Sequence, residues 1–473
     1  MWKKGLAFLL AVSTVISMSF IPVHATEETD TTEAECTPDE WEAAAEAIYE
    51  ETPQTNEISK WPQGPNVWGD GAILMDMQSG AVLYAKNSEK KFYPASITKL
   101  LTALVALENG KLTDTVTATD STYDGMDWTY SSLNMQPGEK MSLEEALHGL
   151  LLVSANEMGH AIAESSTGGY DDFICKMNEK VQELGGVNSN FVNTNGIQDE
   201  NHYTCAHDMA LIGAAVYQIP EFREIESHIE HDIPATNKSD ARVGLVQDNK
   251  MMLPENSHYC EYVKAGKTGY TDDSRSTFVA MADNGTLQLV YVDLYNPKAL
   301  TYDDAQAILD YGFANFKKIM LKNQETSKDI ESFDSDDAYI VVPDDVNFSD
   351  LDMTLTLDEK AGNREGTVSY TYQDQPVGTA DVVVTETYYE DTTGKHPISV
   401  SDTTEKTAKK GFHIPVWMVI ILVVVLLLVI LTVTLSVIRA RKRRLARERK
   451  RAQMRRRRQQ EESSGGSRNR RRQ

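Results

Sequence analysis

The sequence predicts an α+β fold, with one antiparallel sheet assembled from strands at both ends of a helical region. A small β-rich domain and a membrane-spanning helix are expected to follow it. Three observations carry this reading. Strand-like runs at 72–76, 81–84, 262–269, 276–282 and 287–294 bracket a stretch of helical periodicity between 97 and 216. Period-two alternation resumes near Asp337 in Met353, Leu355 and Leu357 and then in Val368, Tyr370 and Tyr372. Finally, residues 414–438 hold 25 positions without a charge, long enough to cross a bilayer with some tilt.

In chain order, Met1-Trp2-Lys3-Lys4 is a short basic start, 5–23 is apolar, and Val23-His24-Ala25 offers small residues at a cleavage site. Residues 1–25 therefore read as a secretory signal peptide cut after Ala25, with an uncleaved anchor as the alternative. Residues 26–60 are an acidic tether or peripheral helix, with 39–46 the helix-like part. A catalytic domain is expected over 61–325. It starts with a hairpin turned at Gln78-Ser79-Gly80 and continues into a helix of Leu100, Leu101, Leu104, Val105 and Leu107, stopped at Asn109-Gly110. Residues 113–136 are polar and aromatic, a loop-rich excursion across the front of a site. Ser142-x-x-Glu145 is a capping box that opens the next helix. Further helices are expected over 170–184, from a Thr204 cap through Val216, and over 303–316; the last follows a hairpin turned at Asp283-Asn284-Gly285-Thr286. The small β-rich domain is expected over 336–388 and a polar linker over 389–411.

Charge divides the chain. Its net is -25 from 46 Lys+Arg and 71 Asp+Glu, yet residues 439–473 hold 17 basic and 3 acidic groups, leaving 29 against 68 in the preceding 438. Arg439, Arg441, Lys442, Arg443 and Arg444 directly after the apolar run place this tail in the cytoplasm and residues 26–411 outside it. The tail is expected to meet anionic lipid headgroups, so a membrane is a partner and nucleic acid is not. Cys36, Cys175, Cys205 and Cys260 allow three pairings, and nothing in their spacing selects one.

The chemistry rests on three short motifs. Ser96-x-x-Lys99 opens a helix, where residues three apart share a face, so the lysine amine can take the proton of the serine hydroxyl. Ser154-x-Asn156 ends a helix, and Lys267-Thr268-Gly269 lies on a strand. Singly the first two are weak, since Ser88-x-x-Lys91 and Ser132-Leu133-Asn134 match them equally well, and a serine at a helix start is commonly only a cap. Their joint occurrence in this order, on an exported chain, points to a nucleophilic serine enzyme.

The set resembles the penicillin-recognising serine enzymes. Within them it is similar to the low-molecular-mass penicillin-binding proteins, D-alanyl-D-alanine carboxypeptidases. Pro94-Ala95-Ser96-Ile97-Thr98-Lys99, Phe191-Val192-Asn193-Thr194-Asn195-Gly196 and the run from His202 to Ala210 carry this resemblance, which covers about residues 62–388. It implies a penicillin-binding-protein/β-lactamase-like transpeptidase domain and an acyl-enzyme mechanism with no cofactor and no metal. The substrate would be a peptidoglycan stem peptide ending in D-Ala-D-Ala, and β-lactams would be covalent inhibitors. By resemblance Ser96 is the nucleophile, Lys99 its base and Ser154 the proton relay. Asn156 would bind the substrate amide, Lys267 would hold Ser154 and supply charge, and Thr268 would bind the terminal carboxylate. Gly269 and Tyr270 extend that strand, with the Tyr270 and Ser96 N–H groups receiving the oxyanion. His202, Cys205 and His207 fall in a family segment without a metal role, and Cys205 stands where the family usually has threonine. The membrane span and long basic tail depart from the amphipathic C-terminal helix common in the family. Three other readings keep the fold: a β-lactamase, although Ser154-Ala155-Asn156 replaces Ser-Asp-Asn and no Glu-x-x-Leu-Asn segment follows; a membrane sensor of β-lactam or muropeptide; and a non-catalytic wall scaffold, against which the completeness of all three motifs argues.

Overall fold

The computed structural model describes residues 38–394 apart from 128 and 359–363. Helix α1 (Pro38–Glu50) comes first and docks on the main body, where Lys86 Nζ donates to Ile48 O (2.6 Å) and Tyr49 stacks on Trp68. Strands β1 (Gly71–Asp76) and β2 (Val82–Lys86) lead to helix α2 (Thr98–Asn109). Short β3 (Thr115–Thr117) and β4 (Lys140–Ser142) pair around the loop-rich excursion. Helices α3 (Leu143–Leu151), α4 (Asn156–Ser165), α5 (Gly169–Glu183), α6 (Ala206–Gln218) and α7 (Pro220–Ser227) follow. A hairpin of β5 (Glu230–Ile233) and β6 (Arg242–Val246) precedes β7 (Val263–Thr271), β8 (Arg275–Asp283), β9 (Gln288–Asn296) and helix α8 (Thr301–Asn315).

The main sheet runs β2-β1-β9-β8-β7, antiparallel throughout, so strands from the two ends of the catalytic region meet at the β1–β9 pair. Both faces are covered, and side-chain alternation assigns them. Ile73 and Met75 of β1, with Val290 and Val292 of β9, pack into the helical core; Ala72, Leu74, Leu289 and Tyr291 pack into the rear core with α8. A strand buried on both faces loses the apolar–polar alternation of an exposed one, which is why β1 reads as a continuous apolar run. Helix α2 crosses the helical core with Thr98 through Ala106 all buried. It therefore holds the first motif on a rigid element.

Behind the rear core lie β10 (Phe316–Met320) and β12 (Tyr339–Pro343), which pair, and β11 (Ile330–Phe333), β13 (Asp352–Leu357), β14 (Glu365–Tyr372) and β15 (Gln375–Val384), in the order β11-β15-β14-β13. The alternating burial of β14 follows Val368, Tyr370 and Tyr372. These strands share the rear core with the main sheet; Gln375 Nε2 donates to Val82 O and Thr379 N to Ser79 O. Helix α9 (Glu386–Thr393) takes up the first residues that the sequence assigns to the polar linker, because Thr385 caps it and Tyr389 is buried against the sheet. Helix α6 begins one residue later than expected: Cys205, not Thr204, is its N-cap, its sulfur facing Asp208 N at 3.4 Å, while the Thr204 hydroxyl meets Ser189 Oγ.

Cys175, Cys205 and Cys260 are free thiols, the first exposed and the other two buried. Among the described residues no helix is long and apolar enough to cross a membrane. The signal peptide 1–25, the span 414–438, the tail 439–473 and Cys36 lie outside those residues.

Candidate active site

Ser96 sits in a 3-10 turn, Ala95–Ile97, that feeds α2, and no side chain caps either element. The serine is thus not a helix cap. Its turn is strained, since Ala95 has φ 49°, a left-handed conformation that costs a non-glycine residue about 1–3 kcal/mol. Neighbours hold it there. Thr277 Oγ1 donates to Pro94 O at 2.7 Å. Gly196, at φ +87°, approaches so closely that a Cβ would stand 1.8 Å from Ala95 O, and a Cβ on Gly269 would stand 2.8 Å from Ser96 N. Two backbones therefore wall the Ser96 turn, and both positions need glycine.

Lys99 is fully buried one turn along. Its Nζ lies 2.8 Å from Ser96 Oγ, 2.8 Å from Asn156 Oδ1 and 2.9 Å from Asn195 O. Burial, and after it the nearby Lys267 charge, hold its pKa well below the ordinary lysine value. A neutral amine has two N–H groups and one lone pair. Donation to Asn156 and Asn195 then leaves the lone pair for the Ser96 hydroxyl, the arrangement a general base requires.

The second motif follows the end of α3. Ser154 has φ 58°, and Asn156 starts α4 with its Nδ2 donating to Ser131 O at 3.0 Å. The adjoining Glu157, buried and with its pKa raised by that burial, accepts from Ser132 Oγ (2.8 Å) and Leu133 N (2.5 Å). The decoy Ser132-Leu133-Asn134 is thus the loop that braces the true motif. On β7, Lys267 is buried with its pKa lowered, burial outweighing the opposing charges of Asp248 and Glu226. Its Nζ donates to Thr268 O (3.1 Å) and lies 4.0 Å from Asp248 Oδ2. Among the described residues no hydrogen bond joins Lys267 to Ser154. Thr268 Oγ1 donates to the same Asp248 oxygen at 2.6 Å. Ser96, Ser154, Asn156 and the half-exposed Tyr270 line one open cleft of about 570 Å³ with Tyr130 and Lys298.

Residues 58–297 match the model of a family described as D-alanyl-D-alanine carboxypeptidase. That is half of the chain, and it includes all three motifs. The chain belongs to this family. It is 30% identical over 266 residues to D-alanyl-D-alanine carboxypeptidase DacF of Bacillus subtilis (strain 168), covering 54% of this chain and 66% of that one. It is 32% identical over 262 residues to D-alanyl-D-alanine carboxypeptidase DacB2 of Mycobacterium tuberculosis (strain ATCC 25618 / H37Rv), covering 54% and 84%. Among solved structures, penicillin binding protein 5 from Haemophilus influenzae aligns with a TM-score of 0.55 and 27% identity over 68% of this chain and 98% of that one. The match spans just under two thirds of the Bacillus relative's length.

The segments that carried the family resemblance have physical work beside the motifs. Asn195 contacts Lys99 and Gly196 the Ser96 turn, and Thr194 O accepts from Thr102 Oγ1 at 2.7 Å. His202 Nε2 meets Thr98 Oγ1 at 2.9 Å, and its Nδ1 accepts from Val192 N. His202 is a strut, and it does not converge with Cys205 and His207 on one point. Two acidic neighbours escaped the sequence reading. Asp248 occupies Thr268, and buried Glu226 accepts from Gly266 N at 3.0 Å, its pKa raised to about 7 by burial. A carboxyl group behind a strand leaves no spacing pattern to find.

Proposed function

We propose that the chain is an exported, membrane-anchored serine-type D-Ala-D-Ala carboxypeptidase that trims pentapeptide stems of peptidoglycan. Ser96 Oγ attacks the carbonyl of the penultimate D-alanine as its proton passes to Lys99 Nζ. Negative charge collects on the former carbonyl oxygen, received by the Ser96 and Tyr270 N–H groups. Ser154 relays the proton to the departing D-alanine nitrogen. Asn156 uses its second Nδ2–H for the substrate amide and keeps Oδ1 on Lys99. Thr268 and Lys267 receive the terminal carboxylate, and water then releases the acyl group from Ser96 with Lys99 again as base. β-Lactams acylate Ser96 and leave slowly. The span 414–438 anchors the enzyme, with the basic tail on the cytoplasmic side.

The observation that carries this reading is the buried Lys99 amine, 2.8 Å from Ser96 Oγ with its two other partners fixed. The test is D-alanine release from a pentapeptide ending in D-Ala-D-Ala, with labelled penicillin in parallel. Wild type releases D-alanine and retains the label, whereas Ser96→Ala does neither. Equal release by the two proteins would overturn the mechanism, and rapid turnover of the penicillin would favour a β-lactamase.

A further inference from the structure

Three of the chain's ten histidines meet at one place away from Ser96. Helix α3 presents Glu145 and His148, three residues apart on one face; His228 directly follows α7, and His231 lies on β5. His231 Nε2 is 2.8 Å from Glu145 Oε2, and His148 Nε2 is 3.2 Å from His228 Nδ1. The His148 and His231 rings stack with centroids 3.6 Å apart. One ligand atom from each of Glu145, His148 and His231 lies within 4.8 Å of the others. None of the four residues lines the Ser96 cleft.

The hydrogen bonds around His148 orient it as a ligand. Its Nδ1 faces Glu144 O at 3.0 Å, and a carbonyl can only accept, so Nδ1 carries the proton and Nε2 the lone pair. A ring nitrogen pinned by a backbone carbonyl while the other stays unprotonated is the usual posture of a metal-binding histidine. A second acidic group of three, Glu89, His207 and Asp208, lacks this posture: both Asp208 oxygens are already taken by Val187 N, Asn188 N and Ser189 Oγ.

We propose that Glu145, His148, His228 and His231 form a binding site for one zinc ion. Three imidazoles and one carboxylate suit this borderline cation better than calcium or magnesium, which prefer all-oxygen shells. Four protein ligands make a closed, structural set. Binding moves the His228 proton from Nδ1 to Nε2 and the His231 proton from Nε2, where it is donated to Glu145, to Nδ1, and turns the stacked rings so that the freed nitrogens converge. Glu145, His231 and His228 are each partly exposed, which gives the ion an entry path. The ion would tie α3, which leads into Ser154, to the β5–β6 hairpin, which leads to Asp248. Those two exits already touch, since Asp248 N donates to Leu152 O at 2.9 Å.

The test uses the untagged full-length chain in detergent, stripped with a chelator and titrated with zinc against a chromophoric competitor. Cobalt serves as the spectroscopic probe. Wild type should take up one equivalent, raise its melting temperature with zinc, and show the visible bands of tetrahedral cobalt. His231→Asn and Glu145→Gln, at partly exposed positions, should weaken zinc roughly 100-fold and lose the bands, while melting as wild type does without metal. His207→Ala should leave binding unchanged. Absence of stoichiometric uptake, uptake unchanged in both ligand variants, or uptake abolished by His207→Ala would each overturn the proposal.

Discussion

Asp248→Asn should tighten the enzyme's hold on carboxylate-ended substrates. In the free enzyme the Asp248 carboxylate takes the Thr268 hydroxyl at 2.6 Å and lies 4.0 Å from the Lys267 ammonium, so it occupies both groups proposed to receive the substrate's terminal carboxylate. A substrate must displace it and then sit beside a like charge. The Asp248 side chain is 55% exposed, so water screens that repulsion; at about 4 Å it amounts to roughly 1 kcal/mol in a water-like dielectric. Removing it should lower KM by about fivefold with kcat little changed, since 1.4 kcal/mol is a factor of ten. A second effect opposes the first. Burial presses the Lys267 pKa down while Asp248 leads the charges holding it up, so the variant's lysine loses its proton at lower pH. The gain should be largest in mildly acidic buffer and fade as pH rises, earlier than in wild type. The assay is D-alanine release from the pentapeptide at several pH values, with an amidated C-terminus as control, whose KM should not fall. A KM that stays unchanged or rises at every pH would refute the competition.

Lys99→Arg keeps a positive charge that is never lost at working pH, so it separates charge from basicity; acylation by penicillin should fall about 10²–10⁴-fold. In wild type the neutral fraction of Lys99 grows with pH, so stopped-flow acylation should rise through a pKa well below the ordinary lysine value, and a pH-independent rate would refute the base role. Gly196→Ala should cut penicillin labelling about 100-fold or more, because its Cβ can be accommodated only by moving the Ala95 carbonyl and with it the nucleophile turn. The third concerns the rear core, where buried Asp293 and Asp304 both accept from Asn296 Nδ2 at 2.6 Å. Burial, then their mutual repulsion, raises the pKa of Asp293 well above normal, and burial raises that of Asp304 to about 6. Carboxyls with raised folded pKa values favour the fold when protonated, so thermal stability should decline as pH climbs from about 4 through about 6, with a shallower decline in Asp293→Asn.

The reach of the sequence followed how each residue does its work. Ser96, Lys99, Ser154, Asn156 and Lys267 sit at helix starts and on a strand, where short spacing translates directly into direction, and their motifs were legible. That strands from both ends build one antiparallel sheet was legible too, from strand-like runs bracketing the helical stretch, whereas the pairing of β1 with β9 was not. The stretch between Tyr217 and Tyr262 was not. There the β5–β6 hairpin is largely exposed, with Val243 and Val246 facing solvent, so its apolar residues mark no buried face, and α7, the hairpin and Glu226, His228, His231 and Asp248 were invisible as a group. Each of these acts by lying beside something distant in sequence: Glu226 beside Gly266, Asp248 beside Thr268, and His231 beside Glu145, 86 positions away.

The same contrast bears on how the site is built. A pattern such as Ser-x-x-Lys sets which atoms can meet, but not the protonation state in which they meet. That state depends on burial, and Lys99 is enclosed by segments distant in sequence: the Asn195 carbonyl on one side and Asn156, held by Ser131, on the other. Ser88-x-x-Lys91 has the same spacing, yet its lysine lies over the Tyr203 ring with its ammonium 4.3 Å from the ring centre and has no enclosing wall. That amine stands in water, without the shell that encloses Lys99. What separates nucleophile from decoy is therefore the shell that dries the lysine, and substitutions in that shell should shift the pH at which acylation begins before they abolish it.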